Sequence, residues 1–183
     1  MIQTMATKEK RNLPFYMARF DNDGESWGGF VWSPKGEWTK APDWDPNPVC
    51  GGGLHGQSAE YNGLVTAGTR FAVCITSRQV PIDDDKVKCK LAKIIATNDE
   101  AFLMLEKVGL GGISLDLGEY PHPLPDGFTH CGGNLVLGGY SHPLPAGFTH
   151  CGGYLFLRGY SHPLPPGFTH CGGYLDLREY SHP

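Results

Sequence analysis

The sequence predicts a mainly β (α+β) protein, in which an N-terminal antiparallel β domain with one helix caps a short C-terminal parallel β-solenoid. The first observation is a 20-residue repeat that runs from Leu115 onward and contains the phrase H-P-L-P-x-G-F-T-H-C-G-G-x-L-x-L. Self-similarity at a short fixed period indicates that one structural unit is stacked on itself. The second observation is that each unit holds at least two prolines and three glycines, which excludes a pair of helices.

Two leucine columns, two residues apart, predict a strand in each unit. Side chains at positions i and i+2 lie on the same face of a strand, so we expect both leucines to point into the stack and the residue between them to point outward. Identical rungs of this kind pair in register about 4.8 Å apart. The inward columns are Leu115, Leu135, Leu155 and Leu175, and Leu117, Leu137, Leu157 and Leu177, and the outward column is Asp116, Val136, Phe156 and Asp176.

A His-Cys pair also recurs in the repeat. Zinc binds both types of side chain, but neighbouring residues on a strand point to opposite faces, and the spacing lacks the C-x₂-C form. We therefore expect the cysteines to fill the interior and the histidines to lie outside or at a corner, with no metal site and no cofactor. The pairs are His130-Cys131, His150-Cys151 and His170-Cys171.

The rest of the chain predicts the element order of the N-terminal domain. We expect a flexible arm at residues 1–12, a β-rich domain at 13–109 and the solenoid repeats at 110–183. A capping box that begins at Thr97 opens one helix, at about residues 98–108, and Gly109 closes it. This helix should cover the first, degenerate rung at 110–120. The predicted strands span residues 15–20, 27–32, 37–40, 63–77 and 87–91, with an irregular loop at 41–57 and a turn at 83–86.

Lysines alternate with apolar residues near the end of this domain. Lys86, Lys88 and Lys90 are interleaved with apolar residues at 87, 89 and 91, which is the pattern of a half-buried strand. A solvated lysine face would block further pairing at a sheet edge. The alternative is that the lysines form an anion-binding site.

The irregular loop at 41–57 is the first candidate functional site. Cys50 and His55 could act as a nucleophile and its base, and the glycines between them could present N–H groups to an anion. The structural alternative is a buried Cys50 and a tight glycine loop that packs under Trp44. Adjacency in sequence says nothing about geometry, so we expect no catalytic dyad. The candidate residues are Asp43, Trp44, Cys50, Gly51, Gly52, Gly53 and His55.

The second candidate site lies on the outward side of the last two full rungs, which we call the rung face. Aromatic residues beside arginines replace the small or polar residues of earlier rungs, and this composition is typical of binding hot spots. Ordinary cross-strand pairing on a solvated face is the alternative. The rung face consists of Tyr154, Phe156, Arg158, Tyr174 and Arg178.

The third candidate site is the edge of the last rung. After residues 175–180 the printed chain reaches Pro183 with no capping helix or polar coil, and an uncovered strand edge is a template for another chain. We expect a homodimer in which two copies meet about a two-fold axis and pair these edges antiparallel. The alternative is a short, charged edge that stays solvated. The edge residues are Leu175, Asp176, Leu177, Arg178 and Glu179.

Composition narrows the class of partner. A net charge of −4 argues against a broad polyanion-binding surface, so nucleic acid is an improbable partner. No stretch approaches the ~20 apolar residues of a membrane span, and the N-terminus has no apolar core followed by a cleavage site. We therefore expect a cytoplasmic protein with no membrane contact. Its six cysteines should be reduced thiols.

Two segments resemble parts of known proteins. The phrase L-P-x-G-F-T-H-C-G-G-x-L-x-L-x-G-Y resembles short leucine-and-glycine repeats of uncharacterised phage and bacterial proteins. The segments Ala41-Pro-Asp-Trp-Asp-Pro and Cys50-Gly-Gly-Gly-Leu-His-Gly are similar to an N-terminal module of the same kind of protein. Neither resemblance implies an activity.

Together, these expectations predict a non-enzymatic protein that binds a protein partner through the rung face. The resemblance to phage proteins implies an inhibitor or sequestering factor that acts on a host defence system in the host cytoplasm. The alternative is a small-ligand or anion binder, or a Cys-His enzyme, centred on the loop at residues 50–56.

Overall fold

The computed structural model describes residues 14–61, 63, 68–82 and 86–182, apart from the side chain of Trp27. The predicted arm at 1–12 lies outside these residues. So do parts of two further predictions, namely residues 64–67 of the strand expected at 63–77 and residues 83–85 of the expected turn. The regular elements of the described chain are mostly strands, with one α-helix, and the strands pair antiparallel in the N-terminal part and parallel in the C-terminal part.

The N-terminal part is built on a four-stranded antiparallel sheet. Its strand order is β1-β6-β9-β4, and a smaller antiparallel sheet with the order β5-β8-β7 packs nearby. A short β2-β3 pair completes this part. The strands are β1 (Phe15–Asp21), β2 (Glu25–Ser26), β3 (Phe30–Val31), β4 (Trp38–Lys40), β5 (Leu54–Gly56), β6 (Arg70–Thr76), β7 (Gln79–Ile82), β8 (Lys86–Cys89) and β9 (Leu91–Thr97).

Two strand predictions and one loop prediction in this part are corrected. The segment 27–32 is not one strand, because a 3-10 turn at Trp27–Gly29 with two left-handed glycines leaves only Phe30–Val31 to pair. The loop at 41–57 is not wholly irregular, since its residues 54–56 form β5. The strand predicted at 87–91 is divided at Lys90 into the ends of β8 and β9, which belong to different sheets.

The lysine face predicted as solvated is also wrong at its centre. Lys88 has 0% exposure, whereas Lys90 is exposed and Lys86 is partly exposed. The Nζ of Lys88 donates hydrogen bonds to the carbonyl oxygens of Val49 and Gly51, both at 2.9 Å. These bonds satisfy the buried ammonium group, as a buried charge requires.

The helix α1 spans Asn98–Met104 and is shorter than predicted. The capping box does not form, because the side chain of Thr97 makes no cap hydrogen bond and Asn98 has a left-handed φ of 49°. The Asn98 amide oxygen instead accepts a hydrogen bond from the Phe71 N–H at 3.2 Å. After α1 the chain continues in turns up to Gly109, which has a left-handed φ of 75°. The prediction that Gly109 closes the helix is wrong, because the helix ends at Met104 with Leu105 as its C-cap.

Helix α1 covers the first rung, as the sequence predicts. Phe102 stacks on Phe71 of the four-stranded sheet with ring centroids 4.4 Å apart. The same ring meets Tyr120 and Phe128 edge-on, at 5.4 Å and 5.6 Å. One hydrophobic core therefore continues from the sheet through α1 into the stack of rungs.

The C-terminal part is a stack of rungs with two parallel sheets. Each sheet takes one two-residue strand from successive repeats, and pairing is in register at a spacing of 20 residues. The first sheet contains β10 (Leu115–Asp116), β12 (Leu135–Val136), β14 (Leu155–Phe156) and β16 (Leu175–Asp176), and the second contains β11 (His130–Cys131), β13 (His150–Cys151) and β15 (His170–Cys171).

The leucine columns point inward as predicted in the first three rungs, where they are buried. The last rung differs, because Leu177 is 49% exposed. The residues between the leucines are also less exposed than predicted: Phe156 is half-buried and Asp176 is buried. No described residue covers the outer side of Leu177, and the Arg178 side chain lies over the Asp176 carboxylate.

A ladder of tyrosine hydroxyls joins successive rungs, and sequence reasoning missed it. The Tyr140 hydroxyl donates to the carbonyl of His122 at 3.1 Å and accepts from the Leu124 N–H at 3.0 Å. The Tyr160 hydroxyl makes the same pair of bonds one rung higher. The Tyr120 hydroxyl is buried and has no partner among the described residues, because α1 stands where a preceding rung would lie.

Candidate functional site

The structure brings the five residues of the rung face together on adjacent rungs. Leu155 pairs with Leu175 and Phe156 with Asp176, so the preceding residues, Tyr154 and Tyr174, follow each other up the same column. They are 49% and 59% exposed. Both tyrosines precede strands whose register is set by the repeat, which places the two exposed tyrosines at equivalent positions of adjacent rungs.

Local contacts hold the Tyr154 ring in place. The ring lies over Gly173 of the next rung, where an added Cβ would collide with its Cδ1 atom. It also meets Phe156 edge-on at a centroid distance of 6.2 Å. The Tyr154 N–H donates to the Asn134 side-chain oxygen at 2.8 Å. A ring held in this way loses little conformational entropy when it binds a partner.

Each arginine of the rung face is paired with a carboxylate of its own chain. The guanidinium of Arg158 donates to Glu179 at 3.0 Å and 3.2 Å, and that of Arg178 donates to Asp176 at 2.6 Å. Hydrogen bonding from Arg178 lowers the pKa of Asp176 to about 2. The arginines of the rung face are therefore neutralised by carboxylates of the same chain. This leaves the exposed aromatic side chains as the part of the rung face that a partner could cover.

The candidate loop is closed by contacts within the N-terminal part. The Nζ of Lys88 donates hydrogen bonds to the carbonyl oxygens of Val49 and Gly51. The Asp43 carboxylate accepts a hydrogen bond from the Gly53 N–H at 3.2 Å. At Gly53 an added Cβ would meet Trp44 at 3.3 Å, so this part of the loop packs against Trp44 as the structural alternative expects. A Cβ at Gly52 would collide with the backbone of the loop.

Cys50 and His55 occupy different environments. Cys50 is exposed, contrary to the structural alternative, and its Sγ lies 3.4 Å from the Nζ of Lys86. The Nε2 atom of His55 is buried without a hydrogen-bond partner among the described residues. Burial, followed by the charges of Lys86 and Lys88, lowers the pKa of His55. No hydrogen bond joins the thiol to the imidazole in the part of the chain that the structure describes.

The His-Cys column has the predicted arrangement of faces. Cys131 and Cys151 are buried, while the rings of His130 and His150 stack on the outside with centroids 5.0 Å apart. The Nε2 of His130 lies 2.8 Å from the carboxylate of Glu106, a contact that no motif indicates. Among the described residues no group of three or more metal-ligating side chains could hold an ion, and metal independence stays a prediction.

Comparisons with known proteins do not assign the chain to a family. No family model, no curated protein and no solved structure matches the chain. Within the described ranges no helix has the length and apolar character needed to cross a membrane.

Proposed function

We propose that this chain is a non-enzymatic binding protein whose rung face contacts a protein partner. The observation that supports this proposal is the column of Tyr154 and Tyr174, two tyrosines on adjacent rungs that are each about half exposed. Aromatic side chains supply much of the free energy of binding at protein interfaces. The contacts of the Tyr154 ring with Gly173 and Phe156 keep this ring ordered before any partner arrives.

The charges of the rung face favour a partner surface of mixed composition. Since Arg158 and Arg178 already bind carboxylates of this chain, a strongly acidic partner would have to displace Glu179 and Asp176. A partner with an apolar centre and hydrogen-bonding groups at its rim avoids that cost. A component of a host defence system, sequestered in the cytoplasm by a phage protein, is the partner that the sequence resemblance favours.

The test is affinity capture from bacterial lysate, followed by binding of the purified captured protein. We expect a Tyr154→Ala/Tyr174→Ala variant to bind at least about 30-fold more weakly, because truncating a hot-spot residue typically costs about 2 kcal/mol or more. The matched control is Val31→Ala, which truncates a residue that is 68% exposed in the N-terminal part. Equal affinity of the intact chain and the double variant would refute the rung face as the binding site.

The glycine-rich loop is the second candidate, because an exposed thiol beside an ammonium group is typical of reactive cysteines. Cys50 meets this description through Lys86, whereas His55 makes no bond to it. We expect iodoacetamide to label Cys50 equally fast in the intact chain and in His55→Ala, as measured by peptide mass spectrometry between about pH 5 and 8. The range extends below the ordinary pKa of a histidine because burial and the nearby lysines lower the pKa of His55. Labelling that slows in His55→Ala but not in His130→Ala would establish a Cys-His dyad and favour an enzyme.

A further inference from the structure

The outer edge of the last rung carries donors that no described residue pairs. In the rung below, the Leu155 N–H donates to the carbonyl of Tyr174 at 2.9 Å, and the Leu157 N–H donates to the carbonyl of Asp176 at 3.0 Å. By the same register the N–H groups of Leu175 and Leu177 point out of the stack. Neither has an acceptor in the described part of the chain.

Acceptors lie along the same edge. The Gly173 N–H donates inward to the carbonyl of Gly153 at 2.9 Å, and the carbonyl of Gly153 faces outward to receive it. Gly173 is the equivalent of Gly153 on the last rung, so the carbonyl of Gly173 also faces outward. The N–H and C=O groups of a paired strand residue point to the same side, so the carbonyl of Leu175 also faces outward. Donors and acceptors therefore alternate along residues 173–177.

The same edge ends the apolar core. Leu164, Phe168, Leu175 and Tyr180 are only partly buried, whereas their counterparts one rung lower are buried. Leu177 is 49% exposed, and its counterpart Leu157 is fully buried. An added layer on this edge would remove apolar area from water as well as pair backbone groups.

We propose that a second copy of this chain binds here, with the two β16 strands antiparallel about a two-fold axis at Leu175. In this register Leu175 exchanges both of its backbone hydrogen bonds with Leu175 of the second copy. The Leu177 N–H donates to the carbonyl of Gly173 of the second copy, and symmetry supplies the reciprocal bond. Every outward group described above then has a partner.

Within residues 173–177, other registers leave outward groups unpaired. A register centred on Asp176 would need the carbonyl of Leu177, which already accepts from the Tyr180 N–H at 3.1 Å. Head-to-tail stacking is blocked at the other end, because Phe102 of α1 covers Phe128 of the first full rung. The two-fold arrangement centred on Leu175 also places Tyr174 opposite Asp176 of the second copy. Tyr174 and Arg178 also belong to the rung face, so this interface adjoins the surface proposed for the protein partner, but the backbone pairing that supports it does not rest on that partner.

Light scattering on the full chain tests the association. We expect a mass twice the 20.0 kDa of one chain at tens of micromolar, and the monomer mass for Leu177→Pro. Proline removes the Leu177 N–H, which has no acceptor among the residues that the structure describes, and proline is tolerated where a strand N–H faces solvent. Leu177→Lys should give the same result if the proline variant fails to fold, and Val31→Lys is the control for an added surface charge. A monomeric intact chain, or dimeric Leu177 variants, would overturn the proposal.

Disulfide formation tests the register. In a Cys50→Ser background, chains carrying Tyr174→Cys are mixed with chains carrying Asp176→Cys and exposed to mild oxidation. Residues 174 and 176 of opposite copies form a non-hydrogen-bonded pair, in which side chains approach closely. We expect a linked dimer from the mixture and little from either chain alone. Efficient linking of Asp176→Cys chains to each other would instead establish the register centred on Asp176.

Discussion

Replacement of Tyr140 by phenylalanine is expected to destabilise the protein by about 2–3 kcal/mol, whereas the same change at Tyr120 should cost almost nothing. The Tyr140 hydroxyl bonds the carbonyl of His122 and the N–H of Leu124. Both groups lose their partner in Tyr140→Phe, and each buried unsatisfied group costs about 1–3 kcal/mol.

Tyr120 provides the matched control within the same column. It is as deeply buried as Tyr140, but its hydroxyl has no hydrogen-bond partner in the described part of the chain. Removing an unpaired buried hydroxyl is neutral or stabilises the fold by about 1 kcal/mol. The measurement is the free energy of unfolding in urea for both variants. Equal losses would show that ring packing, and not the hydroxyl ladder, stabilises the column.

Replacement of Gly152 by alanine is expected to cost about 3 kcal/mol or more and to disrupt the stack locally. An added Cβ would lie less than 3.0 Å from the carbonyl oxygen of Gly132 in the rung below. That atom is backbone and cannot rotate away, so the rungs must separate. Separation stretches the bond from the Gly152 N–H to the carbonyl of Cys131, which is 2.7 Å long. Overpacking of this kind typically costs about 1–3 kcal/mol before any hydrogen bond is lost.

Gly147 is the control for this substitution. A Cβ there would meet the Thr129 methyl group at 3.6 Å and the Asp126 carbonyl at 3.7 Å, which are ordinary contacts, and its φ is not left-handed. Gly147→Ala should therefore be neutral or stabilise the protein by up to about 1 kcal/mol, because alanine lowers the conformational entropy of the unfolded chain. Thermal unfolding followed by circular dichroism measures both variants. A Gly152→Ala variant as stable as Gly147→Ala would contradict the close stacking of the rungs.

The repeat made the C-terminal architecture predictable. Identical residues at a fixed period leave one register in which leucine lies on leucine and cysteine on cysteine, because any shift would place polar residues in the interior. The opposite faces of His130 and Cys131 followed from strand geometry alone. The column of Tyr154 and Tyr174 was predictable for the same reason. By contrast, the hydroxyl partners of Tyr140 lie 16 and 18 residues away, an offset that no strand rule specifies.

The N-terminal part was less predictable because its contacts are not periodic. Residues 87–91 alternate like one half-buried strand, yet Lys88 is buried because the loop carbonyls of Val49 and Gly51 reach its ammonium group. Thr97 begins a capping-box sequence, but the bond between the Asn98 side chain and Phe71 N–H replaces it. In both cases a residue more than 20 positions away decides the local structure.

The sequence by itself therefore determined the mainly β class, the parallel stack, the inward leucines and the helix that covers the first rung. Each of these follows from local periodicity or from a pattern repeated at a constant spacing. Tertiary structure alone decided the burial of Lys88 and the bond between the Asn98 side chain and the Phe71 N–H. Both depend on which groups from distant parts of the chain lie nearby.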